Sequence, residues 1–230
     1  MTARPRTPRQ LRERDIVRGT RALFDERGLQ DAPVEEIARS VGIARGLIYR
    51  YFSSKEELYV ATMLDYLEEL LGVMNEAVDV TREPAARLER LTRAFIGFCE
   101  RYPAFLDSSL ALMKRPAAQL RDNVSPSVWI NLGQGMADCL EILATTLRDG
   151  SDEGVFAVTD PDAMANLLWA QMLGLMHLAR IKVGVRRTPE GNASLFRIDL
   201  DDLEEACLQS AMAVVRGGVS FGPGAAAARE

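Results

Sequence analysis

The sequence predicts an all-α protein: a small N-terminal three-helix bundle containing a helix-turn-helix, then a larger antiparallel helical body, about nine helices in all. Three observations carry this. Apolar residues recur at three- and four-residue spacing along almost the whole chain, and period-two alternation is essentially absent. The stretch Ile37 to Leu58, IARSVGIARGLIYRYFSSKEEL, holds two short helical patterns split by a glycine-centred turn. Charge is also divided: residues 1–55 sum to +5 and residues 56–230 to −10. A cationic contact surface is thus joined to an acidic body.

From Gln10, Ile16, Val17, Thr20, Leu23 and Phe24 form one face of a first helix, which Gly28 should end. Pro33 fits the first turn of a second helix, with Glu35 and Glu36 at its electropositive end and Gly42 as its stop. A third runs from about Arg45 to Tyr51, and Phe52 closes the unit. Ser54 and Glu57 stand as N-cap and N3 of a capping box that opens a long fourth helix. Pro84 starts a helix through Glu100, Tyr102-Pro103 breaks it, and a short helix reaches about Met113. A poorly defined segment lies between Pro116 and Pro126. Val128–Leu147 is helical and should close at Asp149-Gly150; Asp160-Pro161 opens the next helix, to about Val183. Residues 184–198 read as a loop, and Leu203–Val215 as the last helix. The expected domains are a disordered basic tail at 1–9, the helix-turn-helix at 10–54, the body at 55–216 and a fraying tail at 217–230.

Composition excludes several classes. With one histidine and no C-x-x-C there is little for a zinc site, so no metal and no cofactor is expected. No phosphate-binding loop, nucleophile elbow or H-E-x-x-H occurs, so no catalytic residue is assigned and an enzyme is not expected. Cys99, Cys139 and Cys207 sit far apart in apolar patterns, as buried thiols in a reducing compartment. No apolar run follows the first arginines and none is long enough for a bilayer, so a cytoplasmic protein with no membrane partner is expected.

The second helix of a helix-turn-helix enters a major groove about 12 Å wide while the first crosses the backbone. Ala38, Val41, Ile43, Ile48 and Phe52 would hold that pair against helix one. The exposed face and rim then carry Arg45, Gly46, Leu47, Tyr49, Arg50 and Tyr51, with Lys55 at the next helix start. Gly46 permits close approach. Arg45 and Arg50 can bind guanine edges or phosphates; Tyr49 and Tyr51 can offer hydroxyls to phosphates or pack between head and body. The isolated His177 reads as a buried or interface residue.

The run from Phe24 through Leu58 resembles the N-terminal domain of the TetR/AcrR family of bacterial transcriptional regulators, through Phe24, Gly28, Ile37-Ala38, Gly42-Ile43, Gly46, Ile48-Tyr49, Phe52, Ser54-Lys55-Glu56 and Leu58. The resemblance covers about fifty residues; beyond them only the helical layout agrees. It implies a homodimer reading a palindromic or near-palindromic double-stranded operator, and a variable body that binds a small effector, usually with repression released by it. It also implies phosphate contacts for Tyr49 and Lys55. Ala32 and Ala44 depart from the family's usual Ser or Thr caps, with Asp31 a partial substitute, and Leu47 replaces a small or hydroxyl residue.

Ala165–Ala179, ANLLWAQMLGLMHLA, is apolar on more faces than an exposed helix tolerates. With Leu203–Val215 it resembles the family's dimer-forming helices, giving Leu168, Met172, Leu175, Leu208, Ala211 and Val215 as interface candidates. Phe98, Phe105, Leu110, Met113, Trp129, Leu132, Met136, Cys139, Trp169 and Met176 are the pocket candidates, suited to an apolar or aromatic effector. Two other uses of the scaffold remain open: a head that meets a protein partner, and a cysteine-based redox sensor.

Overall fold

The computed structural model describes residues 7–27, 32–114 and 123–218. Among these are nine helices: α1 (Pro8–Arg27), α2 (Val34–Val41), α3 (Arg45–Tyr51), α4 (Lys55–Ala77), α5 (Pro84–Arg101), α6 (Pro103–Met113), α7 (Pro126–Asp152), α8 (Pro161–Ile181) and α9 (Leu200–Arg216). A two-stranded antiparallel hairpin, β1 (Val183–Arg187) and β2 (Ala193–Arg197), separates α8 from α9. The fold class is therefore all-α with one strand pair, and the loop expected at 184–198 is corrected to a hairpin. The cap expected of Asp31, the residues 219–230 of the expected tail, and most of the segment 116–126 lie outside the described residues. At the other end residues 1–6 lie outside the described residues, and Pro8 and Arg9, expected in the tail, belong to α1.

The chain divides into two compact units, neither of which follows the expected boundary after residue 54. One comprises residues 1–69 and 102–136, the other residues 70–101 and 137–230. The helix-turn-helix thus shares its unit with the start of α4, with α6 and with the start of α7. In this first unit Ile16, Val17, Leu23 and Phe24 of α1 are buried with Ile37, Ala38, Ile48 and Phe52, while Val41 and Ile43 are half-buried. Each large apolar side chain so removed from water contributes about 1.5–3 kcal/mol.

The second unit packs α5, α8 and α9 around Leu88, Leu91, Phe95, Leu168, Trp169 and Leu208. Buried Arg87 reaches Asp149 at 2.6 Å, and Gln171 donates to Ser210 at 2.5 Å. Asp160 caps α8, its carboxylate accepting from the Ala163 N–H at 3.1 Å as Asp160-Pro161 promised. Gly150 does not end α7. It leaves room for the Phe156 ring, which occupies the space a side chain would need, and the helix runs on to Asp152. The chain then turns at Gly154, whose φ is +72°.

Candidate nucleic-acid interface

The turn between α2 and α3 is set by Gly42, whose φ of 71° lies in the left-handed region that costs a side-chain-bearing residue about 1–2 kcal/mol. Its N–H and that of Ile43 return to Arg39 and Ala38, closing α2. Neither Pro33, at the α2 N-cap, nor Ala44, at the α3 N-cap, supplies a side-chain cap. Ile48 is buried under the head, so the opposite side of α3 faces outward.

Gly46 and Arg50 lie opposite Ile48 and are exposed. Arg45 and Tyr49 are exposed as well, Leu47 and Tyr51 are half-exposed, and Lys55 is half-buried at the start of α4. All seven expected contact residues thus fall on one short segment of a single unit. The Arg45 guanidinium lies 2.6 Å from Glu35 and 5.8 Å from the Tyr49 ring centroid. Both partners of the ion pair are more than half exposed, so it is worth at most about 1 kcal/mol and Arg45 is readily released to a polyanion. Arg50 makes no ion pair among the described residues.

A cleft of about 510 Å³ opens beside α3, lined by Arg9 and Glu13 of α1, by Tyr49 to Ser53, and by Ser125 and Ser127 at the head of α7. Arg9 lies 5.9 Å from the centroid of the Tyr51 ring. Cation, aromatic face and hydroxyls here match what a phosphodiester backbone requires. Sequence reasoning missed Arg9, having placed it in a tail, and missed Ser125 and Ser127, whose nearness to α3 leaves no local signature.

Glu57 anchors this wall. Its N–H donates to Ser54 Oγ at 2.9 Å, half of the expected capping box. The carboxylate turns away, accepting the Ser53 N–H at 2.5 Å and the hydroxyls of Ser53 and Ser125. Burial pushes the carboxyl upward, but these donors outweigh it and hold it below its ordinary value. Its stabilising contribution is therefore present above the unfolded glutamate value and lost as pH falls through the lower folded one. Glu57→Gln should cost about 1–2 kcal/mol in urea unfolding at pH 7. The difference from wild type should shrink once both are measured in acid; a pH-independent difference would contradict the charge-assisted role.

The second unit holds an apolar cavity of about 40 Å³, lined by Met74, Leu88, Leu91, Thr92, Phe95, Leu143, Leu168, Trp169, Met172 and Ala211. Phe95 and Trp169 meet edge-on, centroids 5.0 Å apart. Of the ten expected pocket residues only Trp169 lines it. Phe98, Cys139 and Met176 are core residues of the same unit. Phe105, Leu110, Trp129, Leu132 and Met136 belong to the first unit, with Phe105 packed on Tyr66. Met113 is 60% exposed, so a place in a buried pocket is corrected to the surface at the end of α6. The α5 stripe Leu88, Leu91, Thr92 and Phe95 was legible as helical spacing but not as a cavity wall.

The interface candidates are corrected likewise. Leu168, Met172, Leu208, Ala211 and Val215 are buried within the single chain and have no surface to offer another; Leu175 alone is half-exposed. The exposed apolar positions of α8 are instead Leu167, Gly174, Leu178 and Ile181, with Ala170 half-buried between them and His177 exposed among them. All three cysteines are buried and in no disulfide, and burial pushes the thiols up, Cys139 to about 12 and Cys207 to about 11. Such thiols are poor nucleophiles, which removes support from redox sensing. Among the described residues no group of His, Cys, Asp or Glu could hold a metal ion, and no helix is long and apolar enough to cross a membrane.

Residues 16–62 match the family model for bacterial regulatory proteins of the tetR family. The transcriptional activator FasR of Mycolicibacterium smegmatis is 28% identical over 120 residues, which are 50% of this chain and 55% of FasR. The transcriptional repressor KstR2 of the same species is 29% identical over 147 residues, 58% of this chain and 70% of KstR2. The chain thus spans little more than half the length of the first of these relatives. The structure of RolR in complex with resorcinol superposes with a TM-score of 0.58 at 18% identity, covering 90% of this chain and 88% of RolR, a likeness of fold.

Proposed function

Since this chain belongs to the TetR family of bacterial regulatory proteins, we propose that it is a homodimeric, sequence-specific transcriptional repressor. It binds a palindromic or near-palindromic duplex and is released by a small, mainly apolar or aromatic effector. The observation that carries the reading is the outward face of α3, where Arg45, Gly46, Leu47, Tyr49 and Arg50 stand free of the core while Ile48 holds the helix down. Arg50 and Arg45 are placed to reach base edges or phosphates, and Tyr49, Tyr51 and Lys55 to position the backbone.

A half-site pair needs two heads. The exposed residues Leu167, Gly174, Leu178 and Ile181 on α8, with half-buried Ala170 between them, support self-association, the small residues permitting close helix approach. The apolar cavity supports an effector of matching chemistry. At about 40 Å³ it holds about one water-sized body, so Met74, Met172 and Trp169 must move aside to admit a ligand. Met side chains do this at small cost. Helix α4 gives residues 55–69 to the head's unit and 70–77 to the cavity's, a covalent route by which effector binding changes operator affinity. Relatives named activator and repressor both exist; release by effector requires only that the ligand distinguish two states of the protein.

Selection of duplexes from a random-sequence pool by the purified protein tests this. A palindrome should be enriched, bound by two chains, and bound more weakly as salt rises. Folded protein that enriches nothing would move the weight to a head serving a protein partner.

A further inference from the structure

The hairpin between α8 and α9 is firmly specified yet half uncovered. Its ladder pairs Val183 with Arg197, Gly184 with Phe196, Val185 with Leu195, Arg186 with Ser194 and Arg187 with Ala193. The Thr188 N–H closes the turn on Asn192 O at 2.8 Å, with Gly191 at φ +89°. At the base the Ile198 N–H donates to Lys182 O at 3.1 Å. Lys182, at φ 57°, is the one non-glycine residue of positive φ among the described residues. The chain accepts that backbone cost at the point where α8 becomes β1.

The two faces differ. On one, the Phe196 ring fills the space over Gly184, and the Arg186 guanidinium lies 5.8 Å from the ring centroid. On the other, the cross-strand pair Val185 and Leu195 is 69% and 70% exposed, with Val183 beside it. A two-stranded hairpin is marginal alone in water, and a solvated face ordinarily carries polar residues. An apolar cross-strand pair on an open face is what a covered surface uses.

Charge indicates the cover. Lys182 and Arg187 make no ion pair among the described residues, and neither do Asp201 and Asp202 in the first turn of α9. Arg197, by contrast, is already engaged by Asp199 at 2.6 Å. Unpaired cations on the hairpin and unpaired anions one turn further along the same chain form a self-complementary set. A twofold axis satisfies both at once, since residue i of one copy meets j of the other and j meets i. In the chain, the exposed Leu178 and Ile181 at the end of α8 stand immediately before β1.

We propose that the β1–β2 hairpin is a self-association arm whose Val185–Leu195 face is covered by a second copy of this chain, with Lys182 and Arg187 set against that copy's Asp201 and Asp202. This rests on the self-association reading above and adds to it a surface outside the helices.

The test is sedimentation velocity of the full chain over a range of concentrations, with circular dichroism confirming the fold of each variant. Val185→Asp/Leu195→Asp and Lys182→Glu/Arg187→Glu should each raise the dimer dissociation constant about tenfold or more. Adding Asp201→Lys/Asp202→Lys to the second variant should restore it to about threefold of wild type, because the charges are swapped rather than lost. Dissociation constants unchanged in both hairpin variants would overturn the arm. So would a charge swap no tighter than the single reversal. Leu167→Asp, at an exposed position of α8, separates the two readings: loss of dimer there with intact hairpin variants keeps the helix contact and removes the arm. A wild-type monomer at every concentration removes both.

Discussion

Gly46→Glu should abolish specific duplex binding while leaving the protein at least as stable as wild type. Gly46 is exposed, one residue into α3, and a Cβ built there meets no atom within 4 Å. Replacing a helical glycine gains up to about 1 kcal/mol of helix propensity, and a carboxylate in the first turn is favoured by the helix dipole. The fold therefore has no reason to object. A groove-bound α3 does, because the new side chain occupies the space of closest approach and carries the same sign as phosphate. The expected loss is about a hundredfold or more, read by fluorescence anisotropy on the enriched duplex, beside an unchanged or raised melting temperature. Gly46→Ala should bind with a smaller loss. Undiminished affinity in Gly46→Glu would remove α3 from the interface.

Arg21→Ala should cause the largest loss of stability among single charge removals in the first unit. Arg21 of α1 reaches Asp65 at 2.8 Å and Glu69 at 2.5 Å on α4. Its guanidinium stacks 4.2 Å from the Tyr66 ring centroid and 4.6 Å from that of Tyr102. The tyrosine hydroxyls complete the network, Tyr66 donating to Asp25 and Tyr102 to Glu69, each at 2.6 Å. Burial opposes the charge on Arg21, but the carboxylates outweigh it and hold the guanidinium more firmly protonated. Removing the cation strands three carboxylates around two aromatic rings. Breaking such a cluster costs about 3 kcal/mol, which for a chain of this size lowers the melting temperature by roughly 6–12 °C. Arg21→Lys should recover little, since an ammonium cannot reach two carboxylates and lie flat between two rings. A change below about 1 kcal/mol would show these contacts to be incidental.

The head was legible because its signals are local. Gly42 must be glycine where the backbone turns left-handed, Ser54 and Glu57 mark a helix start, and Ile48 and Phe52 recur at helical spacing. The Arg21 network was not, since positions 21, 65, 69 and 102 are joined only by folding. Helix α8 misled for a different reason. A helix apolar on every side does not announce which stripe its own chain covers, so Leu168 and Met172 were read as outward and Leu167 and Ile181 were passed over. The hairpin was hidden by its brevity: Val183 and Val185 are a single period of alternation, flanked by the Pro, Gly and Asn of a turn. Gly150 looked like a helix stop because a sequence cannot say that Phe156 will need the space beside it.

The central claim, that the α3 face and its rim grip a duplex by its phosphates, is tested most directly by the salt dependence of binding to the enriched duplex. Wild type and Lys55→Ala should both give straight lines of log affinity against log salt. The variant's slope should be shallower by about 0.9 for each head that loses a phosphate contact, hence about 1.8 for a dimer. Parallel lines, or binding indifferent to salt in the wild type, would contradict the assignment.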